Sequence, residues 1–165
     1  MSVTADEFAA GLTSEKLRTV HGLWRALAAD GLGPKRGQIT PAQLRGTMPW
    51  TFIMETAGKD FRFSFAGDRI VQFMGKAHAG TLLSSLLGTP FYDGMNRFFA
   101  GAVASRRPMR VGPLRANLPG KEHLEMEVIV LPLSEDGAQV NALLGAFETW
   151  GLGTNAHAAE PVLAD

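Results

Sequence analysis

Four arginine side chains lie close together in the sequence and have the chemistry of an anion site. The cluster lies around the end of a predicted helix and the bend into the strand that follows it, and comprises Arg106, Arg107, Arg110 and Arg115. A guanidinium group presents planar, forked donors that match a phosphate or a carboxylate. The cluster therefore indicates a candidate anion or nucleotide site. The alternative is a solvated basic helix end, which the helix dipole favours.

One group of residues has the chemistry of general acid–base catalysis. His123, Glu125 and Glu127 alternate with apolar residues and so share one face of a predicted strand. Such groups act as an acid–base pair when a cavity encloses them. The same alternation also marks a face that is turned to solvent or to a partner. The sequence contains no glycine-rich phosphate loop, HExxH motif or nucleophile elbow, so we expect no enzyme.

The composition excludes several other kinds of chemistry. There is no cysteine, so disulfides, thiol catalysis and thiolate metal sites are excluded, and we expect no metal site. The 16 basic residues balance the 16 acidic ones, which gives no overall attraction to nucleic acid. No stretch approaches the roughly 18 apolar residues of a membrane span. We therefore expect no membrane insertion and a cytoplasmic location.

A set of phenylalanine, methionine and other apolar residues forms the candidate ligand pocket. We expect them on the inner face of a sheet and on the helices that cover it, where methionine adapts to an irregular cavity. The alternative, a filled core without a cavity, is the commoner use of such residues. The predicted lining comprises Phe52, Met54, Phe63, Phe65, Phe73, Met74, Met95, Phe98, Leu114, Met126 and Val128.

The stretch 61–75 would form one wall of this pocket. Phenylalanines alternate with polar residues over 61–65, which predicts a half-buried strand. After Gly67 the apolar residues Ile70, Phe73 and Met74 have helical spacing. A strand that turns directly into a short, aromatic-faced helix leaves room for a small cavity between the two. The pattern indicates binding rather than bond-making chemistry.

An apolar stripe on the N-terminal helix is the candidate interaction surface. Leu17, Val20, Trp24 and Leu27 recur at helical spacing between about residues 14 and 29. The stripe either packs on the domain or pairs with the same helix of a second copy. Tryptophan is enriched at contact hot spots. We therefore assign the stripe and Trp150 to a predicted interface.

The order of elements predicts an α+β domain. Two strands precede several short helices and one long helix, and three antiparallel strands follow. Neither set of strands alone buries enough apolar surface. We therefore expect one five-stranded antiparallel sheet with the short helices on one face. The last strand, about 140–149, is apolar on both faces, which predicts a central position or an outer face covered by the N-terminal helix.

These elements divide the chain into three parts. Residues 1–30 are an expected N-terminal helical extension, and residues 31–150 form the domain itself. Residues 151–165 are rich in glycine, alanine, asparagine and proline. We expect this last part to be a disordered tail, because it offers little apolar surface to bury.

The order of elements and four short motifs resemble the PAS fold. The motifs are His21-Gly22-Leu23-Trp24-Arg25, Ile39-Thr40-Pro41, Met48-Pro49-Trp50 and the phenylalanine strand with Ala66-Gly67-Asp68-Arg69-Ile70. The resemblance covers about residues 16–149. More narrowly, the chain looks like the small PAS-type regulators found as single-domain proteins in alphaproteobacteria. The resemblance implies a role in intracellular signalling.

The resemblance also allows us to ask whether the sequence contains the residues that the cofactors of PAS domains require. Photoactive flavin or hydroxycinnamate sites use a cysteine, which this sequence lacks. Haem-binding versions use a histidine on or near the long helix. Residues 90–105 contain none, and His78 lies in a glycine-flanked loop. We therefore expect neither haem nor covalent flavin, and any ligand to be small, apolar and non-covalent.

The sequence as a whole predicts a signalling or regulatory module that acts by protein–protein contact, with gating by a small apolar ligand as a further option. The resemblance implies a signalling protein as partner, such as a histidine kinase or a cell-cycle or motility regulator. A homodimer through the N-terminal helix is a second option. The rival interpretations are a nucleotide- or anion-binding domain and a small α+β enzyme.

Overall fold

A seven-stranded sheet runs through the molecule and separates two layers of helices. The computed structural model describes residues 1–151, 153 and 161–165. The helices are α1 (Ala5–Ala10), α2 (Glu15–Ala28), α3 (Asp68–Met74), α4 (Leu83–Leu86) and α5 (Thr89–Ser105). The strands are β1 (Ser2–Val3), β2 (Thr51–Ala57), β3 (Asp60–Ala66), β4 (Met109–Arg115), β5 (Leu124–Leu133), β6 (Ala142–Gly151) and β7 (Val162–Ala164).

The strands lie in the order β1-β7-β4-β5-β6-β2-β3. The five from β4 to β3 are antiparallel throughout, and they are the five strands that the sequence predicted. The α+β class and the PAS-like sheet are therefore confirmed. β6 lies between β5 and β2, in agreement with its apolar residues on both faces.

The sheet has two strands more than predicted, because residues near each end of the sequence form one further strand. β7 pairs antiparallel with β4, and β1 pairs parallel with β7. Val162 and Ala164 are buried, so the segment 151–165, expected to be a disordered tail, ends in an ordered strand. Two small apolar side chains on one face are enough to extend the core here. Residues 152 and 154–160 of the expected tail lie outside the described residues.

A bulge in β3 reverses the side-chain alternation at Ser64. Ile53 pairs with Phe65, but the next residue of β2, Met54, pairs with Phe63, so the register shifts by one at Ser64. An extra residue in one strand sends the side chains beyond it to the opposite face. Phe63 therefore joins the inner core of the sheet, whereas Phe65 packs against the outer core.

Helices α3, α4 and α5 cover the inner face of the sheet. The buried residues of α5 include Phe98 and Phe99. The ring of Phe99 lies 5.9 Å from that of Phe52 and 5.4 Å from that of Phe61, measured between centroids. Aromatic rings at such separations interact favourably beyond the area that they bury. This aromatic cluster joins the long helix to β2 and β3.

Helices α1 and α2 cover the outer face. The stripe residues Leu17, Val20 and Trp24 are 0%, 1% and 8% exposed, and Leu27 packs beside them against residues of β5 and β6. The Trp24 indole Nε1 donates to the Pro132 carbonyl at 2.7 Å. The stripe thus packs within its own chain, as the first of its two interpretations expects. A homodimer through this stripe would require α2 to leave the sheet.

Candidate functional site

An apolar cavity of about 40 Å³ lies between the inner face of the sheet and helices α3, α4 and α5. The strands and the helices both contribute aromatic and aliphatic side chains to its wall. The lining comprises Phe52, Phe63, Ile70, Phe73, Met74, Leu83, Leu87, Phe91, Met95, Phe99, Met126, Val128 and Phe147. These side chains offer no hydrogen-bond donor, and their only acceptors are the weakly accepting sulfur atoms of methionine, so they give the cavity no strong polar anchor.

Seven residues of the predicted pocket line this cavity. They are Phe52, Phe63, Phe73, Met74, Met95, Met126 and Val128. Met54 and Phe98 belong to the same core but do not reach the cavity, and Leu114 packs against that core from its margin. Phe65 lies on the other side of the sheet, because the bulge at Ser64 reverses the alternation on which its assignment depended.

Six lining residues were missing from the predicted pocket. They are Ile70, Leu83, Leu87, Phe91, Phe99 and Phe147. Phe91 and Phe99 share the apolar stripe of α5 with Met95, so helical spacing contains the signal for them. Phe147 is the residue of β6 that pairs with Val128 of β5. Phe147 could be assigned to the pocket only from the pairing of β5 with β6, which the sequence alone does not show.

The size and chemistry of the cavity restrict what it can hold. It exceeds the roughly 10–15 Å³ that a water molecule needs. It is far below the roughly 300–1,000 Å³ of pockets for drug-sized ligands. Without rearrangement it therefore accepts a small apolar atom or group, and no large planar cofactor fits.

Two surface clefts adjoin the cavity and share walls with it. One, of about 340 Å³, is lined by Phe73 and Phe147 together with Trp50, Arg69, Gln72, Lys121, Glu148 and Thr149. The other, of about 280 Å³, is lined by Phe73, Met74 and Leu87 together with Leu86, Gly88, Leu118, Pro119 and Lys121. Phe73 lines all three spaces. The rings of Phe73 and Phe147 lie 5.0 Å apart, and both line the cavity and the larger cleft.

The four arginines of the candidate anion site do not converge. Arg107 pairs with the Asp165 carboxylate at 2.8 Å. Arg106 donates to the Ala138 carbonyl at 3.2 Å, and Arg115 donates to the Glu122 carbonyl at 2.8 Å. These contacts hold the side chains apart and already occupy donors that an anion would need. The arrangement resembles the solvated basic helix end that was the alternative interpretation.

Arg110, the fourth arginine, lies between α1 and the sheet. Its guanidinium carbon is 5.6 Å from the centre of the Phe8 ring. Burial lowers the pKa of Arg110, and the nearby Glu127 carboxylate opposes that shift. Its role in the fold is therefore to accompany a buried carboxylate rather than to bind an anion from solution.

The acidic face of β5 is buried, contrary to the expectation that it meets solvent or a partner. Glu125 and Glu127 are both 0% exposed. Glu127 accepts from the backbone N–H groups of Thr13 at 3.0 Å and Ser14 at 3.0 Å. Glu125 accepts from the N–H of Gly153. The polar alternation of this strand therefore marks buried carboxylates that accept from backbone N–H groups: Glu127 at the start of α2 and Glu125 at Gly153.

His123, the third member of the acid–base group, is exposed and does not share this buried environment. His21 of α2, in contrast, is buried, at 1% exposed. Its ring lies 4.9 Å from that of Phe8 and 6.3 Å from that of Trp24. Burial, aided by the positive charge of Arg25, lowers the pKa of His21 to about 4. His21 is therefore neutral near pH 7.

The described residues contain neither a metal-binding cluster nor a membrane-spanning helix. Over residues 1–151, 153 and 161–165, no cluster of three or more histidine, cysteine or acidic side chains is placed to hold a metal ion. No helix in the same part of the chain is long and apolar enough to cross a membrane.

Comparison with known proteins adds one finding to this geometry. A family model described as "PAS domain" matches residues 12–148. The match includes α2, all the residues that line the cavity and the five antiparallel strands up to Glu148. No curated protein matches the chain.

Proposed function

The chain belongs to the PAS domain family, whose members are signalling or sensory modules, and we propose that it senses a small apolar ligand and transmits the result by contact with a partner protein. The proposed setting is the cytoplasm, and the proposed partner is a protein of a signalling pathway. The protein is not proposed to be an enzyme, since Glu127 is engaged in holding the start of α2 and Glu125 accepts from the backbone of Gly153.

The observation that supports sensing is the cavity. About 40 Å³ of empty, wholly apolar space in the inner core is unfavourable for stability, because the lining atoms lose contacts that a filled core would provide. Recovery of those contacts gives an apolar occupant a favourable binding energy. The methionines at its wall allow the shape to adapt.

The position of the cavity also supports a route to the opposite surface. Met126 and Val128 line the cavity, and Glu127 between them binds the backbone at the start of α2. Successive residues of a strand point to opposite faces. A displacement of β5 by an occupant would therefore move the carboxylate that holds the outer helices.

Partner contact is proposed at residues of the predicted interface that keep exposed surface. Leu27 and Trp150 are half-buried, whereas Leu17, Val20 and Trp24 are buried in the chain. Trp150 lies near the end of β6 and pairs with Glu125 across the sheet. Among the described residues Met1 is the only large apolar side chain that is fully exposed, so a half-buried tryptophan is a favourable anchor.

Xenon, a small apolar sphere, tests the cavity directly. We expect xenon to shift the methyl NMR signals of Met74, Met95, Met126 and Val128. Val130 provides the control because it is buried on the same face of β5 but does not line the cavity. Equal shifts at all five residues, or no shift at any of them, would overturn the proposed sensing function.

Photo-crosslinking tests the proposed contact with a partner. A benzoylphenylalanine at position 150 keeps an aromatic ring where Trp150 lies. It should give a discrete adduct with another protein in cells. The same residue at the exposed position of Glu122 should give none. Identical adduct patterns at both positions would contradict a specific contact at Trp150.

A further inference from the structure

Lys121 is a half-buried cation at the entrance to the cavity. Its ammonium lies 5.9 Å from the centre of the Phe73 ring, and its side chain lines both surface clefts. In the described part of the chain Lys121 has no carboxylate partner within 4 Å, since the ion pairs there join Lys16, Arg25 and Arg107 to acidic residues. A cation in this position is available to an anion from outside.

The larger cleft has an excess of positive charge. Arg69 lies above the Trp50 ring, 5.5 Å from its centre, and is the second cation of this cleft. The single carboxylate in the lining, Glu148, pairs with Lys16 at 2.8 Å and accepts from the Ser14 hydroxyl. Its charge is therefore compensated from the α2 side. Among the described residues neither Lys121 nor Arg69 forms an ion pair with a carboxylate.

The cleft and the cavity share aromatic side chains in their linings. Phe73 and Phe147 line both spaces. Phe73 is half-buried and lies in the last turn of α3, which ends at Gly75 with φ +88°. A rotation of the Phe73 side chain toward solvent would connect the two spaces without a change in the sheet. Lys121 stands at the mouth of the passage that this rotation would open.

From this arrangement we infer that the site takes a short-chain carboxylate, with its alkyl tail in the cavity and in the space that the rotated Phe73 ring vacates, and with its carboxylate at Lys121. The inference rests on the proposed sensing function and names its ligand class. The apolar cavity offers nothing to the sugar or base of a nucleotide, whereas the cationic rim offers a charge-assisted hydrogen bond to an acid. Phe73 acts as the gate, and Arg69 adds a second positive charge to the rim.

A series of probes with one tail and three head groups tests the inference on the unmodified chain. The probes are hexanoate, hexan-1-ol and hexylamine, measured by calorimetry and by methyl NMR. We expect hexanoate to bind about tenfold more tightly than hexan-1-ol, as one charge-assisted contact implies, and hexylamine to bind most weakly. Hexanoate should also shift the methyl signals of Met126 and Val128, because its tail enters the cavity.

Two variants locate the head group. Lys121→Gln should reduce hexanoate affinity about tenfold and leave hexan-1-ol affinity unchanged. Lys35→Gln, at an exposed lysine that lines none of these spaces, should change neither. Equal binding of hexanoate and hexan-1-ol would overturn the inference, as would hexanoate shifts confined to the surface around Arg69 or an absence of hexanoate binding.

The same measurements separate this inference from the proposed function. If xenon shifts the cavity methyl signals but hexanoate does not bind there, the carboxylate inference fails and the apolar sensing site stands. If xenon itself leaves those signals unchanged, the sensing function fails, and the inference fails with it.

Discussion

Glu127 of β5 and Glu148 of β6 are direct cross-strand partners, and both carboxylates bind the start of α2. Two like charges directly opposite each other on a sheet are destabilising on their own. Here they meet the positive end of a helix dipole, the ammonium of Lys16 and the guanidinium of Arg110. The outer helices are therefore attached to the sheet by charge as well as by apolar contact.

Neutralising Glu127 should weaken that attachment. Glu127→Gln keeps the size of the side chain but replaces one accepting oxygen with a donor, which cannot bind the N–H groups of Thr13 and Ser14. We expect a loss of about 1–3 kcal/mol in the free energy of unfolding, measured by urea denaturation. Glu122→Gln, at an exposed position, should change it by less than about 0.5 kcal/mol. Similar values for both variants would contradict the role assigned to Glu127.

Filling the cavity should stabilise the protein. Val128→Ile adds one methylene toward empty space, which contributes about 0.8 kcal/mol when fully buried. Val130→Ile adds the same group two residues along β5, where Val130 is buried without a neighbouring cavity. Overpacking there should cost about 1–3 kcal/mol. Thermal unfolding measures both, and a loss of stability in Val128→Ile would argue that the cavity is already filled.

The two isoleucine variants also bear on binding. Val128→Ile should reduce the xenon-induced shifts at Met126, because it occupies part of the same space. Val130→Ile should leave them as they are in the unmodified protein. Xenon shifts that respond equally to both variants would show that the probe binds elsewhere in the core.

The stability of the outer layer should fall as the pH is lowered. The pKa of His21 is lowered to about 4 from the usual 6.5, so the unfolded chain takes up a proton at a pH where the folded chain does not. The stabilisation is complete above pH 6.5 and is lost progressively as the pH falls toward 4. The difference corresponds to about 3 kcal/mol.

Two histidine variants separate this effect from the titration of carboxylates. His21→Leu removes the buried titrating group and should flatten the fall in unfolding free energy between pH 7 and pH 4. His123→Leu, at an exposed histidine, should retain the slope of the unmodified protein. Urea denaturation at several pH values provides the comparison. Parallel curves for all three proteins would rule out His21 as the source.

Trp24 should behave as a core residue rather than as a binding residue. Trp24→Phe removes the donor to the Pro132 carbonyl and leaves that buried acceptor without its partner, at a cost of about 1–3 kcal/mol. Circular dichroism during urea denaturation measures the loss. An unchanged midpoint would mean that the indole bond contributes little, and that Trp24 can still be assigned to a partner contact.

Hydrophobic periodicity was sufficient to predict the central sheet and its inner layer. The alternation of β5 and the stripe of α5 are local patterns, and local patterns set which face of an element is apolar. Phe65 shows where this reasoning ends. Its assignment needed the register between β2 and β3, and the extra residue at Ser64 is invisible in the sequence of one strand alone.

The carboxylates of β5 illustrate a second limit. A buried Glu127 and an exposed one produce the same alternation in sequence, because the partners that make burial possible come from Thr13 and Ser14, more than 100 positions away. The passage at Phe73 was unpredictable for a related reason. It depends on Lys121, from the turn before β5, lying over a ring of α3.

The pairing of β1 with β7 bears on the order in which the chain can fold. Ser2 and Asp165 are 163 positions apart and are joined by a hydrogen bond between their side chains. Forming a contact between residues so far apart in sequence has a high entropic cost of loop closure until the intervening chain is compact. The hairpin of β5 and β6 has no such obstacle. We therefore expect the five central strands to assemble first and the β1–β7 pair to form last, so that this pair can open while the five strands stay folded.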